Sequence, residues 1–260
     1  VNLKPYRGTL VAPYLRFRGT AFYGAEFTGG TYTGDIMWCP WTCEGCWSRY
    51  GWRNVAPPQE HTPDRVLGKL YGGMQRRGQT ACRISGGEPT LFWPHVSAVI
   101  DLFLDETAGK VMRVAGQTRR GGEPMKIVIE TNGSTLQPRW LDALQETHGD
   151  EAARLVLSLG IKATSGPRLA ALTGQAPRAA EAAFRRQIRN LIYICEQTQI
   201  TPYVSVLNKY SDPNEFATIQ ALVEESRPGL GRHVGILPYR GYGRANQFFT
   251  PKRMRESSQP

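Results

Sequence analysis

The sequence predicts an α/β domain built from parallel βαβ units, on three observations. After residue 33, aliphatic strand-like runs alternate with amphipathic helical stretches along nearly the whole chain, as when crossover helices join parallel strands. Six runs read firmly as strands and a seventh weakly, too few for an eight-fold barrel, and one domain explains them better than two. Polar residues stand at successive strand ends, which right-handed crossovers bring to one side.

Composition bounds the reading. The chain has 260 residues, 40% of them hydrophobic, enough for a full core. Five cysteines are too few for a disulfide scaffold at this length. No run is long enough to span a bilayer, and no apolar segment opens the chain, so a cytoplasmic protein without a membrane partner is expected. The net charge of +10, from 32 Lys and Arg against 22 Asp and Glu, favours acidic partners, an acidic substrate or RNA among them. No RNA-binding module is recognisable, and Arg178, Arg185, Arg186 and Arg189 fall on a solvated helix face.

In order, residues 1–32 are rich in Gly, Thr, Tyr and Phe and read as a β-rich extension, with strands at Tyr14–Arg18 and Phe22-Tyr23. Residues 33–38 form a strand running into Cys39. Thr62-Pro63 opens a helix with a hydroxyl cap and a first-turn proline; Val66, Leu67, Leu70, Tyr71 and Met74 give its buried stripe. A strand over 80–84 leads into Ser85-Gly86-Gly87-Glu88-Pro89, and a helix follows Pro94. Val111–Val114 is a strand-like piece of uncertain place, before a Gly/Arg loop at 116–122. Strands at 126–129, 155–159, 203–207 and 233–237 alternate with helices from Pro138, about Ala176 and Pro213. The domain spans 33–245, and 246–260 is a tail.

Cys39-Pro-Trp-Thr-Cys43-Glu-Gly-Cys46 places three of the five cysteines within eight residues. Thiolates select iron–sulfur clusters, zinc or copper. A closed zinc site wants four ligands, so zinc would borrow His61 or Cys82, making a zinc-stabilised interaction protein the non-enzymatic alternative. A cluster on three thiolates leaves one iron open to a substrate, and the spacing favours it. Trp38, Trp41, Trp47 and Trp52 crowd the same stretch, where rings either shield a cluster or simply pack the loop.

The other strand ends carry Gly86-Gly87-Glu88, Glu130, Lys162, Asn208 and Tyr239. Paired glycines let a backbone approach a ligand closely, or simply make a strand-to-helix turn. Glu88 can accept an amino group, Glu130 can hold a ribose diol, Lys162 can pair with a carboxylate, and Asn208 offers donors and acceptors. A ligand with an amino group, a carboxylate and a ribose matches an amino-acid nucleoside.

The C-x3-C-x2-C loop followed by Ser85-Gly86-Gly87-Glu88-Pro89 resembles the radical S-adenosylmethionine (radical SAM) enzymes over about residues 33–245. The resemblance implies that Cys39, Cys43 and Cys46 hold a 4Fe-4S cluster whose open iron binds SAM. It implies that Gly86, Gly87 and Glu88 hold the SAM amino group and Glu130 the ribose, with Lys162, Asn208 and Tyr239 around the nucleoside and methionine. Ile161-Lys162-Ala-Thr, Leu172-Thr173-Gly174 and Leu237-Pro238-Tyr239-x-x-Tyr-Gly243 resemble the small activating enzymes that install a glycyl radical, implying a partial (βα)6 TIM-like barrel. A glycyl radical enzyme would then be the partner, with flavodoxin or ferredoxin as electron donor. The alternative is modification of a nucleoside or tRNA, a peptide or a small molecule. Two positions depart from the family pattern. Gly45 stands where an aromatic residue packs on adenine, leaving Trp47 or Trp41 as substitutes, and Gly160 stands where an aspartate precedes the lysine. Cys82 is expected in the core, with a thiol hydrogen donor or methyl acceptor as its alternative role, and Cys195 is structural.

Overall fold

The computed structural model describes residues 10–20, 30–43, 46, 57–112, 123–207 and 213–237. Its strands are β1 (Ala12–Thr20), β2 (Thr31–Ile36), β3 (Gln59–His61), β4 (Ala81–Gly86), β5 (Val111–Met112), β6 (Glu123–Pro124), β7 (Lys126–Thr131), β8 (Leu155–Ile161), β9 (Thr201–Leu207) and β10 (Val234–Leu237). Its helices are α1 (Pro63–Arg76), α2 (Trp93–Glu106), α3 (Pro138–His148), α4 (Gly166–Thr173), α5 (Pro177–Gln197) and α6 (Pro213–Ser226). Eight strands form one sheet in the order β10-β9-β8-β7-β4-β2-β1-β3. The run from β10 to β2 is parallel throughout, which is the six-stranded partial barrel the sequence implies.

The N-terminal stretch continues this sheet. β1 pairs antiparallel with β2 from Tyr14 opposite Ile36 to Thr20 opposite Thr31, and β3 pairs with β1 on its outer side. Three polar residues, Gln59, Glu60 and His61, give β3 no alternating signature, and the sequence does not announce it. Val111-Met112 pairs with Glu123-Pro124 in a separate ribbon, outside the main sheet. Phe22-Tyr23 lies outside the described residues.

The helices bury their apolar stripes against the sheet's outer face. Leu70, Met74, Val99, Ile100, Phe103, Ile127, Ile129, Leu157 and Leu191 join one continuous core. Each such side chain contributes about 1.5–3 kcal/mol by leaving water. Trp93 of α2 stacks on Trp140 of α3 with centroids 5.0 Å apart. Most helices begin with proline in the first turn, which costs no hydrogen bond there. One detail differs from the sequence reading. The Thr62 hydroxyl caps no helix N–H; it bonds the Asp64 carboxylate instead.

Side chains alternate across a strand, so the sheet has a second, inner face. Ala81, Val128, Val156 and Tyr203 form a small separate cluster there. Further toward the strand ends this face turns polar, with Arg83, Ser85 and Glu130. Cys82 faces the opposite way, fully buried in the helix-side core, where burial pushes its thiol pKa up. Cys195 lies in the same core.

Candidate functional site

Three connections hold the cysteine loop. Directly after β2 and β4, the Gly87 N–H donates to the Ile36 carbonyl at 2.7 Å and the Glu88 N–H to the Trp38 carbonyl at 2.6 Å. The chains pass so closely that a side chain at Gly87 would overlap the Trp38 carbonyl, and one at Gly86 would lie 2.5 Å from that of Ile36. Gly86 also has φ +105°, a region open mainly to glycine. Trp38, immediately before Cys39, is held at φ +71°, a strain that surrounding contacts must maintain.

The second connection is Trp41, 5% exposed, which packs with Ala163, Leu169, Ala180 and Ala183 of α4, α5 and the preceding turn. Cys39 and Cys43 lie against the same patch. Trp41 therefore serves as an anchor for the loop, and its buried ring is not a free platform for adenine. Trp47 and Gly45 lie outside the described residues. Third, the Thr42 hydroxyl donates to the Thr173 carbonyl at 2.7 Å. This assigns a physical task to Leu172-Thr173-Gly174: the end of α4 braces the cysteine loop.

All three cysteines are half-buried and none is in a disulfide. The Cys46 N–H donates to the Cys43 carbonyl at 3.3 Å. Burial pushes the Cys39 thiol pKa up, and Glu88, Cys43 and Cys46 are close enough to add to that rise. Ligation must displace its proton, so metal loading and pH are linked. The donor chemistry fits an iron–sulfur cluster: three half-buried thiols outside any disulfide, with Cys43 and Cys46 near enough to act on Cys39. Among the described residues no three His, Cys, Asp or Glu side chains group tightly enough to hold a single metal ion. His61, the fourth ligand a zinc site would borrow, lies in an aromatic group with Phe17 and Tyr14, its ring 5.5 and 6.1 Å from theirs.

Glu88 is 1% exposed. Its Oε1 accepts from the Thr90 hydroxyl at 2.6 Å, the Thr90 N–H at 3.1 Å and the Thr131 hydroxyl at 2.5 Å; Oε2 accepts from the Asn132 N–H at 2.8 Å. Burial raises its pKa against the pull of these donors. The carboxylate thus ties the Gly-Gly-Glu turn to the end of β7, leaving the turn's backbone as the part closest to the cysteine loop. Thr90, Thr131 and Asn132 are the residues that sequence reasoning missed. Thr90 follows Glu88 by two residues, while Thr131 and Asn132 follow Glu130 directly, and nothing local marks them as partners of Glu88.

Glu130 lies on the inner face with its side chain 36% exposed. Its Oε2 accepts from the Ser85 hydroxyl at 2.6 Å and pairs with Arg83 at 3.2 Å. Burial opposes ionisation, but Arg83, Ser85, Lys162 and Arg18 together hold its pKa below the usual value. Lys162 folds back over Gly160, its ammonium 3.2 Å from where a side chain's first carbon would stand. The lysine itself takes the space that the family's aspartate would enter. Behind this ring, Asp35 binds Arg16 and Arg18, each at 2.8 Å, and Arg83 donates to Thr20 at 2.8 Å. Helix α5 grips the turn after β7: Gln187 donates to the Asn132 carbonyl at 2.6 Å and Asn190 to that of Gly133 at 2.8 Å. Asn208 and Tyr239 lie outside the described residues.

A cysteine loop seated on the ends of β2 and β4, with a glutamate-locked glycine turn beneath it, defines a cofactor-bearing partial barrel. The radical SAM superfamily model matches residues 36–194, and the chain belongs to that family. Its cofactors are a 4Fe-4S cluster and S-adenosylmethionine. No curated relative matches the sequence. Among solved structures, SuiB of Streptococcus suis bound to S-adenosylmethionine is similar at 14% identity and TM-score 0.52, over 85% of this chain and 46% of that one. The same enzyme bound to its precursor peptide SuiA gives 14%, 0.51, 86% and 45%. TYW1 with a lysine-pyruvate adduct gives 15%, 0.46, 76% and 62%. The chain thus spans between about half and three-fifths of the proteins it resembles. Among the described residues no helix is long and apolar enough to cross a membrane.

Proposed function

We propose that this radical SAM enzyme removes a hydrogen atom from a small polar substrate, or a polar side chain, that enters the barrel from the strand ends. Cys39, Cys43 and Cys46 would hold the cluster, which would supply the electron for reductive cleavage of SAM. The chain's own residues then have distinct tasks. Gly86 and Gly87 bring bare backbone to the SAM amino group, and Glu88 holds that backbone still. Glu130 has one carboxylate oxygen committed to Ser85 and Arg83, so its other oxygen serves the ribose. Lys162 would pair with the SAM carboxylate, and Asn208 and Tyr239 would serve the nucleoside and methionine. Flavodoxin or ferredoxin is the expected electron donor.

One observation carries the substrate class. The inner face holds Arg16, Arg18, Asp35, Arg83 and Glu130 in linked ion pairs, a lining suited to polar groups and costly to leave without polar contacts. A nucleoside, a peptide side chain or a small acid fits that lining. The second reading, activation of a glycyl radical enzyme, is supported by Leu172-Thr173-Gly174, the activase-like segment that receives Thr42. The test is anaerobic incubation of reconstituted enzyme with SAM and dithionite. Repeated 5′-deoxyadenosine release coupled to loss of a small polar substrate supports the proposal. A single turnover that leaves a glycyl radical signal in a large partner supports the activase and rejects it.

A further inference from the structure

On the other side of the sheet, between β1, β3 and α1, lies a cleft of about 370 Å³. It belongs to the helix side. The Tyr32 ring presses on Gly73 of α1, and Gly34, two residues further along the same strand face, lies under the rings of Tyr14 and Phe17. Asp35 occupies the opposite face; Arg16 lines the cleft but has its Nε committed to Asp35 at 2.8 Å. The cleft is therefore separate from the cysteine loop and the polar barrel interior, though Pro13 of β1 accepts the Met37 N–H at 2.9 Å close by.

Its chemistry divides in two. One wall is aromatic: Tyr14 stacks on Phe17 at 5.2 Å, and His61 meets Phe17 edge-on at 5.5 Å. The other is cationic. Lys69 and Arg76 of α1 reach it, and the Lys69 ammonium stands 5.2 Å from the Phe17 ring centroid. None of the described lining residues is acidic. His61 lines the cleft as well. It is 5% exposed, and its Nδ1 has no hydrogen-bond partner among the described residues. Burial, then Lys69 and Arg65, hold its pKa low, so the ring is neutral near pH 7.

We propose that this cleft binds a small planar anion, an aromatic ring carrying a phosphate or carboxylate, with the ring against Phe17 and the charge at Lys69 and Arg76. Its volume falls within the range of small-molecule sites, and cations beside aromatic faces recognise both halves of such a ligand.

The test is calorimetric titration of the full chain with phenyl phosphate, and separately with benzoate, using inorganic phosphate and phenol as half-ligands. Saturable binding of either ring-bearing anion, about tenfold or more tighter than both half-ligands, is expected; which one binds identifies the anionic group. Lys69→Met and Arg76→Met, on the exposed side of α1, should each weaken it about tenfold. Binding should persist in Cys43→Ala and be unaffected by SAM in the loaded enzyme. No saturation up to about 10 mM of either anion overturns the proposal. So does equal affinity for phosphate alone, indifference to both α1 variants, or competition with SAM. None of these outcomes depends on the activity of the barrel site.

Discussion

Thr42 in the cysteine loop and Thr173 at the end of α4 are 131 residues apart in sequence and joined by a 2.7 Å hydrogen bond. The bond makes α4 a brace for the segment that carries the cluster ligands. Thr42→Val removes the donor, keeps the shape and leaves a carbonyl unanswered, at about 1–2 kcal/mol. In a domain of this size the melting temperature should fall by roughly 2–8 °C. The sharper effect should be faster iron release to a chelator, followed by loss of visible absorbance. An unchanged release rate would show that the brace is not needed to hold the loop.

The crossing of β2 and β4 leaves no room at Gly87, where a methyl group would overlap the Trp38 carbonyl. Gly87→Ala should lower stability by about 2 kcal/mol or more, since backbone cannot move aside cheaply. Gly68, exposed within α1 with open space around it, provides the contrast. Gly68→Ala should raise stability by about 0.5–1 kcal/mol through helix propensity. Urea midpoints of the two variants test both signs.

Glu88→Gln tests the lock on the glycine turn. Four donated hydrogen bonds converge on this carboxylate, and an amide replaces one acceptor oxygen with a donor. Buried donors left unanswered cost about 1–3 kcal/mol. Thermal unfolding should register that loss without SAM present, and calorimetry of the loaded variant should show weaker SAM binding. Unchanged stability would remove the carboxylate from its structural task.

Glu130 gives a pH dependence. Its folded pKa is lowered from an ordinary 4.5, so the unfolded chain binds its proton more readily. The stability it contributes is present above about pH 4.5 and is lost as pH falls through the folded value. Wild type should therefore exceed Glu130→Gln in stability near neutrality and converge with it in acid. Arg83→Met should raise the Glu130 pKa and shrink that difference.

The partial barrel was legible because parallel strands buried on both faces need aliphatic runs, as in Lys126–Thr131 and Leu155–Ile161. Proline at the first helical turn marked α1 and α3 as clearly. The short elements were not legible. Gln59–His61 is a strand because β1 offers it an edge, and Gly166–Thr173 is a single eight-residue helix following directly on a turn. At the site, spacing alone picked out Cys39, Cys43 and Cys46. The task of Glu88 was hidden because its partners Thr131 and Asn132 lie 43 and 44 residues away. The inner pairs of Arg16 and Arg18 with Asp35 depend on a register shift between Tyr14 and Arg16 that no local pattern encodes. Lys162 covering Gly160 is likewise a consequence of folding.

The most direct test is electron paramagnetic resonance of the anaerobically reconstituted, dithionite-reduced protein, recorded with and without SAM and paired with iron and sulfide analysis. The account predicts about four irons and four sulfides per chain, a reduced-cluster signal that shifts when SAM is added, and loss of both in Cys43→Ala. One zinc without sulfide, or a cluster signal indifferent to SAM, would contradict it.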